Sequence, residues 1–180
     1  MLKIVIPLAG RSDLFINAGY YYPKPLIEFN GKTMIEWVIE NPSTIKGKHQ
    51  FVFIIKEEDV EKFYLDNTLR LLSPGCEIVK LKKVTKGGLC STLMAVDKIN
   101  KEDSLLILNG DQIMDIDFNE VDAYWKQEKV SAGIVTFTSV HPRWSYARIE
   151  NGEVVQTAEK NPISNQSIAG YYYFEKAGDF

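Results

Sequence analysis

The chain is poor in the residues that most often carry metal and nucleophilic chemistry. It has two cysteines and two histidines in 180 residues. Cys76 and Cys90 match neither a disulfide framework nor a zinc-ligand spacing, so both read as reduced thiols. His49 and His141 cannot form a metal site by themselves. No Gly-x-Ser-x-Gly elbow is present, which leaves serine-hydrolase chemistry without an anchor. No apolar run approaches the ~20 residues that a membrane span requires. The opening segment Met1–Pro7 has no small-residue cleavage site of the kind a signal peptide needs, so the expectation is a cytoplasmic chain with no membrane partner. Positive charge is not in excess either. The 21 basic and 24 acidic side chains leave a net charge of −3, and without a basic run no nucleic-acid partner is expected.

The rest of the composition is that of a folded protein, 45% hydrophobic and 25% charged. The length suits a single domain over residues 1–180, which on folding buries about 70% of the surface its extended form exposes. Any chemistry must therefore rest on Asp, Glu, Lys, Arg and backbone amides. Short apolar runs alternate with helical periodicity, the pattern of an α/β domain with a mainly parallel sheet. Strands are expected at Lys3–Leu8, Gln50–Ile55, Glu77–Leu81, Ser104–Asn109 and Ala132–Ser139. Thr33-Met34-Ile35-Glu36 reads as a capping box that opens a short helix burying Met34, Ile35, Trp37 and Val38. Further helices are expected over Glu57–Leu72, Cys90–Ile99 and Phe118–Lys129, the first with Val60, Phe63, Tyr64, Leu65 and Leu69 on its apolar face. Ala9–Tyr22 reads as a long polar and aromatic loop. Beyond residue 140 only strands and turns are expected: a hairpin of Tyr146–Glu150 and Val154–Glu159, then Ser167–Phe174. Residues 1–135 thus look like the nucleotide-binding type of α/β layer, and residues 136–180 like a smaller, strand-rich half that stops without a closing helix.

Ligands of open α/β sheets bind outside the carboxyl ends of the strands, and three segments fall there. Leu8-Ala9-Gly10-Arg11, with Lys24 closing the same loop, is either a phosphate cradle or a solvated loop. Gly87-Gly88-Leu89 either lets a planar base lie against the backbone or makes a tight turn into a helix. Asp111 in Asn109-Gly110-Asp111-Gln112 either holds Mg²⁺ against phosphate oxygens or caps a turn. Gly31-Lys32-Thr33 is not a P-loop, because Leu26 stands where the first glycine would have to be.

Taken in order along the chain, these segments resemble the sugar-nucleotidyltransferase family, the nucleoside-diphosphate-sugar pyrophosphorylases. The match runs through Ile4–Arg11, Pro23-Lys24-Pro25-Leu26, Gly87–Leu93, Asn109–Gln112, Trp144-Ser145-Tyr146, Glu159-Lys160 and Ala169–Tyr172. The resemblance implies a Rossmann-like, three-layer, glycosyltransferase A-type fold with the acceptor side at its C-terminal end. It implies transfer of a nucleoside monophosphate from a nucleoside triphosphate to a sugar 1-phosphate or similar phosphorylated acceptor, with release of pyrophosphate, in nucleotide-sugar and surface-polysaccharide precursor synthesis. By position, Leu8, Ala9, Gly10, Arg11, Lys24, Gly87, Gly88 and Leu89 would bind the nucleotide. Lys24, Arg11 and Asp111 would be catalytic, with Asp111 holding Mg²⁺. Tyr146, Glu159, Lys160 and Gly170 would bind the acceptor. Association of like chains is left open.

Two departures stand out. The family's second loop glycine is Ser12 here, and its bracing arginine is Leu14. Relatives also carry a further metal-binding aspartate and closing helices downstream, so the expectation is a fragment of a longer protein. Two rivals remain: a catalytically impaired nucleotide- or sugar-phosphate-binding module, and a glycosyltransferase that consumes a nucleotide sugar.

Overall fold

Lys3-Ile4-Val5-Ile6 are all buried, and the strand they form, β1 (Leu2–Pro7), runs through the middle of the sheet with a parallel neighbour on each side. A strand covered on both faces has no use for alternation, which is why this run is almost wholly apolar. In the computed structural model, which describes all 180 residues, β1 lies between β4 (His49–Lys56) on one side and β6 (Ser104–Leu108) on the other. Strand β5 (Glu77–Leu81) extends the parallel set beyond β4.

The remaining strands are antiparallel. β10 (Gln166–Phe174) pairs with β6 and with β7 (Ala132–Thr138), and meets the hairpin of β8 (Ser145–Glu150) and β9 (Glu153–Glu159) at Ser167 and Tyr146. The eight strands make one sheet with the path β5-β4-β1-β6-β10-β8-β9 and β7 beside β10 off that path, so both halves of the chain share a continuous framework. β10 links them. Its register shifts between Ile168 and Tyr172, and Gly170 at φ +70° sits within the shift.

Two apolar clusters cover the sheet's faces. The larger packs Ile4, Ile6, Phe51, Phe53, Leu106 and Tyr171 against the helices, and the smaller gathers around Val5, Val52, Ile54 and Ile107. On the larger face, α2 (Met34–Glu40) opens with Thr33, whose hydroxyl accepts from the Glu36 amide while the Glu36 carboxylate accepts from the Thr33 amide at 2.7 Å. That capping box holds the Glu36 carboxyl below the usual carboxylate range, chiefly through the backbone bond. The helix buries Ile35, Val38 and Ile39, leaving Met34 and Trp37 half-buried. Trp37 instead lies at the edge, donating its indole N–H to the Phe29 carbonyl at 3.1 Å. Phe29 belongs to a small hairpin of β2 (Glu28–Phe29) and β3 (Lys32–Thr33). α6 (Phe118–Glu128) runs nearly as expected, capped by the Asp117 side chain.

Three expectations need correction. The loop after β1 contains a short helix, α1 (Asp13–Asn17). The helix expected over residues 57–72 is two, α3 (Glu57–Phe63) and α4 (Leu65–Leu72), broken at Tyr64, which is exposed and left-handed at φ +53°. Val60 and Leu65 are five residues apart, about 140° out of phase on one helix; the break re-phases the chain so that Leu65 and Leu69, four apart, both reach the core. The helix expected over residues 90–99 is one short turn-and-a-half, α5 (Gly88–Leu93), followed by a 3₁₀ turn at Val96–Lys98. Leu93, Met94 and Val96 are exposed there, so no apolar stripe extends the helix. The C-terminal half ends in a 3₁₀ turn, Ala177–Asp179, after β10. No helix is long and apolar enough to cross a membrane.

Candidate functional site

The parallel strands end at a common edge, and the loops leaving β1, β5 and β6 meet there around a cavity of about 590 Å³. Each wall has a local reason for its shape. β1 gives way to Leu8 and Ala9, both buried, and then to exposed Gly10 and Arg11. Ser12 is buried at the start of α1, and its hydroxyl accepts the Lys24 amide at 3.4 Å, tying the two ends of the loop together. Lys24 opens a 3₁₀ turn behind Pro23, whose extended backbone leads into it. On the second wall, Thr85 and Ser91 share a 2.6 Å hydroxyl–hydroxyl bond across the Gly87-Gly88 turn, and Thr92 donates to the Gly88 carbonyl at 3.0 Å.

The third wall is Asn109-Gly110-Asp111. Gly110 presses against β1: a Cβ there would overlap the Leu8 side chain and come within 3.3 Å of the Pro7 carbonyl. Asn109 donates to Gln112 at 2.5 Å, and its amide bonds the Gly170 carbonyl at 3.0 Å. A side chain at Gly170 would overlap both Asn109 and Gln112, so this glycine permits the turn that presents Asp111. Across the cavity, the Lys24 ammonium lies 2.7 Å from Asp111 Oδ2. Arg11, Lys24 and Lys86 against Asp111 leave the wall with two net positive charges, suited to a polyphosphate.

Of the residues expected from sequence to hold the nucleotide, Leu8, Ala9, Gly10, Arg11, Lys24, Gly87 and Gly88 line this cavity, as does Asp111. Leu89 does not. It lines an adjoining hollow of about 460 Å³ that shares Pro7, Gly88 and Asn109 with the first and is closed by Ile107, Tyr172, Phe174 and Phe180. Asp13, exposed at the start of α1, is not part of the cavity wall. Lys86 and Asn109 also line it; the lysine beside a glycine pair was the signal that would have singled out the first.

The acceptor-side residues are not gathered in the same way. Tyr146 is fully buried, with its hydroxyl donating to the His141 carbonyl at 2.6 Å, and lines neither hollow. Tyr146 and Ala147 are both buried, at the place where β8 meets β10. Glu159 and Lys160 stand exposed at the end of β9, 3.7 Å apart, with Lys160 left-handed at φ +53°. Gly170 lies behind Asn109 rather than on a wall. One link joins this side to the adjoining hollow: the Tyr172 hydroxyl is pushed above its usual range by burial and, secondarily, by the Glu159 carboxylate.

An open α/β sheet with a cationic crevice at the carboxyl ends of its parallel strands defines a nucleotide-binding class of fold. Within that class the chain belongs to the nucleotidyl transferase family, whose model matches residues 19–177. It is 30% identical over 167 residues to the bifunctional protein GlmU of Buchnera aphidicola subsp. Acyrthosiphon pisum (strain Tuc7), a match covering 91% of this chain and 34% of that protein. It is 27% identical over 180 residues to the mannose-1-phosphate guanylyltransferase catalytic subunit beta of Dictyostelium discoideum, covering 96% and 49% respectively. The chain therefore spans a third to a half of the length of these curated relatives. The crystal structure of a nucleoside-diphosphate-sugar pyrophosphorylase from Vibrio cholerae RC9 is similar at a TM-score of 0.83 and 26% identity, covering 98% of this chain and 74% of that one.

Proposed function

We propose that this chain carries the nucleotidyl-transfer site of a sugar-nucleotide-forming enzyme, which joins a nucleoside triphosphate to a phosphorylated sugar and releases pyrophosphate. The observation that carries this reading is the Lys24–Asp111 pair, set between the Gly10-Arg11 loop and the Gly87-Gly88 turn in a cavity large enough for a nucleotide. The donor would lie in the larger cavity with its base against Gly87 and Gly88. The acceptor would enter the adjoining hollow lined by Leu89 and Tyr172, its phosphate turned to the donor and gripped by Lys160, while Glu159 would hydrogen-bond its sugar hydroxyls.

The reaction needs no general base, because an acceptor phosphate with a second pKa of about 6 is already ionised near neutrality. Its oxygen forms a bond to the α-phosphorus as the bond from that phosphorus to the bridging oxygen breaks, and pyrophosphate leaves with the electron pair. The protein's share is positioning and charge neutralisation. Lys24 supplies a compact charge to the phosphates, and the Gly10 and Arg11 segment cradles the departing pyrophosphate.

A divalent cation such as Mg²⁺ is the group the family implies. No cluster of three or more potential ligands exists, and Asp111 is the one carboxylate on the wall of the cavity. That donor set fits Mg²⁺, which is usually held by one or two carboxylates together with substrate phosphates. When bound, the ion would neutralise charge on the phosphate oxygens.

The test is a thermal-shift panel of UTP, CTP, ATP, GTP and dTTP with and without Mg²⁺, followed by pyrophosphate release with sugar 1-phosphates. A ligand at 100 times its dissociation constant stabilises by about 2.7 kcal/mol, a melting shift of several degrees. One nucleotide should shift the transition strongly and release pyrophosphate only with an acceptor present. A shift without turnover would favour a binding module, the reading that Leu14 in place of the bracing arginine supports. Release of nucleoside diphosphate from a nucleotide sugar would favour a glycosyltransferase.

A further inference from the structure

Lys24 and Asp111 come from loops 87 residues apart, and their side chains meet at 2.7 Å without any other salt-bridge partner. The lysine is the more enclosed of the two, at 19% side-chain exposure against 43% for the aspartate, and its backbone is anchored to Ser12. The carboxylate is also the single acidic group on the cavity wall. A cation approaching Asp111 therefore finds one of its two oxygens engaged by an ammonium, and meets the repulsion of that ammonium together with Arg11 and Lys86.

We propose that this ion pair is a latch that makes the cation site depend on the nucleotide, an inference that rests on the functional reading above. With the cavity empty, Lys24 competes with a divalent cation for one carboxylate. A triphosphate offers Lys24 a denser set of acceptors, so the ammonium turns from Asp111 to the phosphates. The same phosphates then supply the remaining oxygen ligands that a lone carboxylate lacks. Cation and nucleotide affinities are coupled through this one pair, and by linkage each raises the other by the same factor. The latch also keeps Asp111 neutralised while the site is vacant, so that an incoming polyanion meets a positive wall rather than a bare carboxylate.

The pair can be opened from either end, which gives two independent readouts. Binding of Mn²⁺ alone, followed by the electron paramagnetic resonance signal of the free ion, should be at least tenfold tighter in Lys24→Met than in the parent chain. Lys24→Arg, which keeps the positive charge, should stay weak, and adding Asp111→Asn to Lys24→Met should abolish the gain. From the other end, Asp111→Asn frees Lys24, so inorganic tripolyphosphate titrated calorimetrically in the presence of EDTA should bind several-fold more tightly. If Mn²⁺ binds Lys24→Met no better than the parent, or tripolyphosphate binds Asp111→Asn no better, the latch is overturned even where the nucleotide panel succeeds. If both gains appear while no nucleotide shifts the melting transition, the competition at the ion pair stands, and the nucleotide as its trigger falls together with the transferase reading.

Discussion

The walls around Lys24 and Asp111 hang from the ends of parallel strands whose residues are buried on both faces, whereas the hairpin that carries Glu159 and Lys160 leaves all of β9 except Ala158 exposed. On the first side every loop is closed on itself or tied to the sheet: Ser12 to Lys24, Thr85 to Ser91, Asn109 to Gln112 and to β10. On the second side the candidate residues touch little beyond each other. Sites built on packed elements are positioned without further cost, while exposed side chains must be ordered by the ligand they bind. Under the proposed function the donor side would thus be preformed, and the acceptor side would take its shape when the acceptor arrives.

The sharpest way to break this contrast is at Asp111. Asp111→Asn should lower the rate of pyrophosphate release about a hundredfold or more, the scale on which a single group that stabilises transition-state charge usually acts. Its melting temperature should not fall, because the carboxylate is half-exposed and packs against nothing else. A drop in stability equal to the loss of rate would show that the pair serves the fold instead. Gly170→Ala tests the scaffold behind the same wall. The new methyl would overlap Asn109 and Gln112 in a left-handed backbone, so a destabilisation of roughly 2 kcal/mol is expected by urea unfolding, with nucleotide affinity reduced as the Asp111 turn shifts.

The acceptor side calls for a paired experiment. Glu159→Ala should raise the Michaelis constant of the phosphorylated acceptor several-fold and leave nucleotide affinity and stability unchanged, since the side chain is 78% exposed. Tyr146→Phe should do the reverse. It removes a buried 2.6 Å hydrogen bond to the His141 carbonyl, so stability falls by about 1 kcal/mol while both Michaelis constants hold. If Tyr146→Phe alters acceptor kinetics more than Glu159→Ala does, the acceptor lies deeper in the hairpin than proposed.

The same contrast governs what could be read from the sequence. Glycine-rich loops after near-continuous apolar runs are a local signal, and the parallel topology then brings their ends to one edge whatever the intervening helices do. That is why Gly10, Lys24, Gly87 and Asp111 could be grouped before any coordinates. Tyr146 could not be sorted, because an aromatic in a short strand looks the same whether it faces a ligand or the core. Tyr64 was hidden for another reason. Propensity favours continuing the helix, and only the tertiary requirement to bury both Leu65 and Leu69 breaks it there. The dependence of the Asp111 turn on Gly170 spans 59 positions, and no local pattern encodes a contact of that range.

Asp59 bounds the contrast from the other direction, as a buried charge on the well-packed side that no step of the proposed reaction uses. It lies in the first turn of α3, 3% exposed, with one carboxylate oxygen 3.3 Å from the Lys56 ammonium and the other without any partner. Burial pushes its pKa above the ordinary 3.8, an effect that the neighbouring lysine only partly offsets. Between that ordinary value and the raised one the folded chain holds a proton that the unfolded chain has lost. Stability therefore rises as pH falls through this window, and the cost of the charge is fully present above the raised value. Asp59→Asn removes the charge at nearly constant shape. At pH 7 it should stabilise the chain by about 1 kcal/mol, the order of the penalty for an unsatisfied buried polar group. The advantage should shrink as the pH is lowered toward 3.8, which chemical unfolding of both chains across that range would follow. A variant less stable than the parent at pH 7 would mean that the Lys56 contact outweighs the burial, and that the donor side tolerates no loose charge even away from its cavity.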